Sequence, residues 1–496
     1  MSSRIENEKR RWQGSHGLKV PKPRSSNTSA SAKLQSSLES VRGNVVEWVL
    51  FLAFLIGLAW TPYYYGSNVL WTWGVNAILF PGLAVAYEVA LLARAKHHPV
   101  AIKEIALPAA LFLAVACWIM IQNATWTPST WHHPIWAMAA QALEQPVQGT
   151  ISVNRDLTAL ALLRLMTAAA VFWLALQLCR NRARADLLMM ALVTIVAAYS
   201  AYGLLTFVPA QPENSGAPIF VTSTYFSRSH FSTYAGIGLI TVCALIFRIY
   251  EREFIITGDA WRLRFASFID ATGPKTLLLL SGAFVILVAL VLTGSRGGVI
   301  ATIIGLFVLG ILTLWQHKGG SRGVWGVLVF VAVILGATVL MFGDAILGQL
   351  TEKGLYDTYR AAVATLTIRS IFDAPLLGYG YGTFADVFPM FRDRSISVQG
   401  KWEQAHNTYL EVLQGLGLLF GSMLLVCVFL LLLKCFRAAI IGEGATVSRI
   451  AASVAMMVGA QSMVDFSLQI QAVALTFIAL LGAGVAQSQS PRLVRD

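Results

Sequence analysis

Charge is what this chain has least of. Only 12% of its 496 residues are charged, and Asp plus Glu number 25 against 37 Lys plus Arg. A soluble domain carries about twice that charged fraction, so the composition argues against one. Cysteine is also sparse. The 5 cysteines lie within or at the ends of apolar runs and form no CxxC pair, which excludes a disulfide framework and a zinc ribbon. No Asp-rich motif marks a magnesium site. The adjacent pairs His97-His98 and His132-His133 would point about 100° apart on a helix, a poor arrangement for chelation. No metal and no cofactor are therefore expected. No internal repeat supports the inverted-repeat plan of many transporters. The alternating apolar pattern of a membrane barrel is missing too.

What the chain does have is long apolar runs. Hydrophobic residues make up 56% of it, and a run of about 20 apolar residues spans a bilayer as a helix. The runs predict an all-α, polytopic integral membrane bundle of about twelve spans, at 45–62, 69–93, 105–122, 157–178, 187–207, 231–248, 276–294, 298–316, 324–342, 407–433, 450–466 and 470–487. Residues 1–44 are basic and Ser-rich and read as a disordered cytoplasmic tail held near anionic lipid. No apolar core of a signal peptide precedes the first span. Residues 45–200 form the N-terminal set of spans, 201–488 a second transmembrane domain, and 489–496 a cytoplasmic C-terminal tail.

Basic clusters fall at every second loop: Arg94 and Lys96, Arg180 to Arg184, Arg248 to Lys275, Lys318 with Arg322, and Lys434 with Arg437. The excess of positive charge on cytoplasmic loops places these inside, along with both termini. The formal net charge of +12 is thus a topology signal, and nucleic acid is not an expected partner. The loops left outside include 123–156, with three tryptophans and an amphipathic stretch at Ile135–Leu143, and the Pro-, Ser- and Thr-rich 208–230. The longest is 343–406, whose apolar periodicity from Tyr356 to Phe372 predicts an ordered helix.

Three outward motifs could carry chemistry. Thr293-Gly294-Ser295-Arg296-Gly297-Gly298 joins two spans with almost no connector. Its glycines leave backbone N–H groups open near a helix start, where Arg296 could grip a phosphate bidentately. The same arginine would also suit snorkelling to lipid head groups. Phe226-Ser227-Arg228-Ser229-His230-Phe231 places a second outward arginine at a helix N-terminus, where the dipole also favours an anion. The long loop adds Arg360, Arg369, the string Pro375 to Phe384 with three alternate glycines, and Gln404-Ala405-His406-Asn407-Thr408-Tyr409 just before a span. Histidine exchanges protons near neutral pH, so His406 at a water–membrane boundary suggests chemistry on a lipid-anchored substrate. Arg164 and Asp465 sit within or near spans. Each needs a partner in an apolar setting, and pairing with one another is one option.

The Ser295-Arg296-Gly297 turn, the 375–384 string, and Ala405 to Leu410 followed by Gly415-Leu416-Gly417-Leu418 together resemble the O-antigen ligase and polymerase superfamily of bacterial membrane glycosyltransferases. The likeness covers roughly residues 200–485. It implies a GT-C-like helical enzyme in the inner membrane with its active site facing the periplasm and a large helical periplasmic loop. It implies a metal-independent transfer of glycan from undecaprenyl diphosphate to an acceptor, either lipid A–core or another glycan. By motif, Arg228 and Arg296 would bind the donor diphosphate, His406 would activate or orient the acceptor hydroxyl, and Arg360 and Arg369 would line the site. Ser295, Asn407 and Tyr409 would contact substrate. A polysaccharide polymerase joining lipid-linked repeats is the alternative, since Arg369 with Gly380 also fits polymerase loops. A transporter of lipid-linked glycan and a non-catalytic glycan-binding membrane protein are the remaining readings. Membrane lipids are expected partners in every case.

Overall fold

An apolar segment in lipid must satisfy its own backbone N–H and C=O groups, and a helix does this within one segment. A computed structural model describes residues 45–207, 220–257, 261–316, 358–396, 401–442 and 445–489, and among these there is no strand. The helices are α1 (Val45–Trp60), α2 (Leu70–Leu92), α3 (Ala106–Gln122), α4 (Ile135–Leu143), α5 (Arg155–Leu178), α6 (Arg182–Leu205), α7 (Arg228–Thr257), α8 (Trp261–Leu292) and α9 (Arg296–Gln316). Then come α10 (Thr358–Asp373), α11 (Phe384–Phe391), α12 (Thr408–Ile441), α13 (Thr446–Gln461) and α14 (Gln471–Ser488). Eleven of these fall on eleven of the expected apolar runs; the run 324–342 lies outside the described residues. Eight helices among the described residues are long and apolar enough to cross a membrane. The chain is a multi-pass helical membrane protein.

The described residues up to Val49 belong to one unit and those from Leu50 to another. Within the second, α7 and α14 are the most enclosed, with 78% of each span buried, against 22–50% for the other spans. α14 is rich in Ala and Gly, and it packs on α5, α12 and α13. Small residues let helix backbones approach closely where lipid removes the hydrophobic driving force. Side-chain amides inside this packing tie helices and loops together. The Asn76 amide donates to Gln471 Oε1 at 2.7 Å, and Gln177 exchanges two hydrogen bonds with the backbone of Val100 at 2.9 and 3.0 Å.

The expected helices at Ile135–Leu143 and near Tyr356–Phe372 are present as α4 and α10. The run at 407–433 is not one uniform span. α12 is 34 residues long, and its axis breaks at Gly417, where φ is +76° and ψ is 168°. The break accommodates the 375–382 string. Leu418 N–H donates to Pro375 O at 2.7 Å, Tyr379 N–H to Gln414 O at 3.2 Å, and Gly380 N–H to Gly415 O at 3.0 Å. The glycines on both sides are there for backbone-on-backbone contact. A Cβ at Gly378 (φ +65°) would lie 2.5 Å from Gly415 O, and one at Gly417 would lie 2.5 Å from Leu376 O. The alternate-glycine string therefore clamps the outer loop onto α12.

Gly378→Ala should lower stability by about 3 kcal/mol, combining left-handed backbone strain with overpacking. Thermal unfolding in detergent reads this, and an unchanged midpoint would refute the clamp.

Candidate active site

All the candidate residues but Arg369 lie at one end of the bundle, where α7, α9, α12 and α14 begin and α13 ends. α12 starts at Asn407, whose Oδ1 accepts the Leu410 N–H at 3.1 Å, an N-cap. Asn407 Nδ2 donates to Met463 O at 3.0 Å, and Thr408 N–H to Ser462 O at 3.0 Å. Tyr409 OH donates to Gly459 O at 2.9 Å. Asn407 and Tyr409, expected to touch substrate, thus hold the start of α12 against the end of α13 and the turn that follows. His406 sits just before the cap with φ +53°.

His406 Nδ1 lies 3.7 Å from Asp465 Oδ1. That is ion-pair range and too long for a hydrogen bond, and Nδ1 has no hydrogen-bond partner. The imidazole is held edge-on between Trp402 and Phe466, at 5.6 and 4.9 Å between ring centroids. Phe466 packs equally on the buried His230, at 4.6 Å. Asp465 is only 3% exposed at its side chain. Its Oδ2 accepts the Ser467 hydroxyl, and Ser467 Oγ lies 3.0 Å from Thr233 Oγ1 on α7. Burial works against this carboxylate, but His406, His230 and Ser467 outweigh it and hold Asp465 down to about 2.

Three guanidiniums gather beside this pair. Arg228 has Arg296 and Arg360 as its charged neighbours. Its guanidinium stacks 4.0 Å over the Phe220 ring, and its buried Nη1 has no hydrogen-bond partner. Arg296 is exposed at the start of α9. Ser295 caps that helix, accepting the Gly298 N–H at 3.3 Å, and its Oγ lies 3.4 Å from Ser229 Oγ. Arg360 donates to Val464 O at 3.0 Å, next to Asp465. Like charges held together in this way cost energy unless an anion offsets them. Arg369 is placed elsewhere. Nine residues along a helix is about two and a half turns, so it points away from Arg360, and its charge acts on Asp393.

Sequence reasoning missed two features. Arg164 and Asp465 do not pair. Arg164 donates to Gln469 O, stacks 4.4 Å over Trp73 and has Glu411 as a charged neighbour. Glu411 itself accepts the Ala405 N–H through Oε1 and the Gln469 amide through Oε2. It therefore ties the residue before His406 to the turn that carries Asp465. An acid in the first turn of a helix ordinarily reads as a dipole partner, which concealed this role.

Because Asp465 ionises more easily folded than the usual 3.8, its contribution to stability is present above pH ~4 and lost as the pH falls towards about 2. That contribution is about 2 kcal/mol. Melting of wild type and Asp465→Asn from pH 7 to 3 should show a gap that narrows below pH ~4; a gap constant across that range would contradict the buried ionised carboxylate.

No curated protein matches the chain significantly. One protein family does: residues 281–426 match the family described as O-antigen ligase. The matched stretch holds Ser295, Arg296, Arg360, the 375–384 string and His406, while Arg228 and Asp465 lie outside it. Residues 281–426 of this helical membrane protein are thus similar to the O-antigen ligase family.

Proposed function

We infer that this protein transfers a glycan from an undecaprenyl-diphosphate donor to a hydroxyl of a lipid-anchored or glycan acceptor, on the periplasmic face of the inner membrane. The observation that carries the reading is the meeting of Arg228, Arg296 and Arg360 with the His406–Asp465 pair at one end of the bundle. The basic loops at the opposite end support the orientation.

The donor's sugar–diphosphate bond is already activated, so the protein has to supply charge stabilisation and alignment. The acceptor oxygen attacks the anomeric carbon as the bond to the diphosphate oxygen breaks. The leaving diphosphate takes the bonding electrons, and the three guanidiniums stabilise its charge. His406 accepts the acceptor's hydroxyl proton, and the carboxylate of Asp465 stabilises the imidazolium that results. Among the described residues, the carboxylates of Asp465 and Glu411 are taken up by His406, Ser467, the Ala405 N–H and the Gln469 amide, so we expect direct displacement, which inverts the anomeric centre. Glu411, Asn407 and Tyr409 position this machinery.

The test is transfer by the purified protein in detergent, with an undecaprenyl-diphosphate glycan and candidate acceptors. Arg296→Ala should cut the rate by about 10²–10³-fold, and His406→Ala by about 10²–10⁴-fold. Full activity in both variants would overturn the site. A single transferred block marks a ligase, and a product ladder marks a polymerase. Arg369→Ala should stay within about threefold of wild type, as expected for a surface charge outside the cluster. A loss equal to that of Arg360→Ala would put Arg369 back in the site.

A further inference from the structure

A transferase needs room for two substrates, and the arginine cluster accounts for one. Apart from that cluster, a cavity of about 610 Å³ opens at the same end of the bundle between the end of α3 and the start of α5. Its walls include Asn123, Trp136, Gln148, Arg155 and Asp156. Directly below it lies a slot of about 400 Å³ lined by Ile119, Met120, Leu162, Leu163 and Met166. Asn123 and Ala159 line both spaces, so the two adjoin. From Thr158 to Met166 the slot follows α5 for about 12 Å. Met120 is 61% exposed and Leu163 40% exposed on spanning helices, so the slot opens sideways to hydrocarbon. The exposed Trp126 and Trp131 mark the interface level of this end.

A polar chamber above an apolar lateral slot fits an amphiphile, with its head in the chamber and its chain in the slot. The chamber's chemistry narrows the head group. Arg155 and Asp156 cancel in charge, unlike the three guanidiniums of the donor cluster, and the carboxylate would repel a phosphate. An indole face beside amide, carboxylate and guanidinium groups suits sugar hydroxyls, which both donate and accept. The Trp136 ring is fixed by its Nε1–H, which donates to Ser152 O at 2.9 Å. Asn123 Oδ1 has no hydrogen-bond partner within the protein. Turned into the chamber, that oxygen would accept a hydrogen bond from a sugar hydroxyl, a donor that a phosphate diester lacks.

The groove is also tied to the reacting end of α12. Gln122 Nε2 donates to Leu377 O at 2.7 Å and to Gly415 O at 2.8 Å. Asn154 caps α5 and donates to Asp386 Oδ2 at 2.7 Å on the outer loop. Leu162 packs in one apolar cluster with Val412 and Leu416. We propose that this α3–α5 groove binds the acceptor as a glycolipid, its chain in the slot and its uncharged sugars in the chamber. The role as acceptor rests on the glycan-transfer reading; the binding does not.

The test uses the full chain in nanodiscs with photoactivatable lipids bearing a disaccharide, a phosphocholine or a polyprenyl-diphosphate glycan head. Peptides spanning 158–166 should be labelled by the disaccharide lipid at least fivefold more than by the phosphocholine lipid. Ala159→Trp, which fills the junction, should abolish that preference. Leu163→Trp should do so by blocking the slot, and it serves as the second variant if Ala159→Trp lowers the melting midpoint. Equal labelling by the disaccharide and phosphocholine lipids, or a preference that survives both substitutions, overturns the site. Stronger labelling by the diphosphate lipid overturns its assignment to the acceptor. Because the readout is binding, a protein that takes up the disaccharide lipid but transfers nothing would refute the proposed reaction while leaving the groove intact.

Discussion

The turn between α13 and α14 is the surface on which His406, Arg360 and the start of α12 are registered. Ser462 O and Met463 O receive the start of α12, and Val464 O receives Arg360 from the outer loop. Asp465 faces His406, Ser467 meets Thr233 on α7, and Gln469 takes both Glu411 and Arg164. Eight consecutive residues thus fix groups from α5, α7, α10 and α12. A turn can do this because its carbonyls are not used within a helix and remain available as acceptors. Buried polar groups reward full pairing and penalise partial pairing, so the turn's position constrains all of its neighbours at once.

Membrane physics explains why the chemistry lies at an end of the bundle. Ionised groups are costly at the bilayer centre and inexpensive at its boundary. Within the spans, polar side chains such as Asn76 and Gln177 are consumed by structural pairing. At the boundary, helix N-termini bring positive dipole ends to where three arginines also gather. A diphosphate head group sits naturally at that depth, with its polyprenyl tail in lipid. The two polar regions at this end differ in character. One concentrates positive charge, and the other balances an arginine against an aspartate over an apolar slot. That contrast is what two chemically different substrates would require.

Length, hydropathy and charge pattern made the spans readable, because each rests on a local period or a local composition. The α4 and α10 helices were legible for the same reason. His406, Arg296 and Arg228 stood out as charged or titratable residues beside apolar runs. Arg360 and Arg369 lie about two and a half turns apart on one helix, so they need not share a face; which of the two joins the site is set by the contact of Arg360 with the Val464 carbonyl. The glycine string read as a turn, yet its role was decided by a partner more than thirty residues away, at the break in α12.

The amino-acid sequence by itself determined that this is a helical membrane protein and, among the described residues, where its apolar helices run. The burial cost of apolar and charged groups acts residue by residue, so it is written locally. Only the tertiary structure decided that Asp465 faces His406 and not Arg164, that Glu411 accepts the N–H of the residue before the histidine, and that α12 breaks at Gly417. Those outcomes depend on which carbonyls and carboxylates from separate helices come within bonding distance, and no local pattern encodes that.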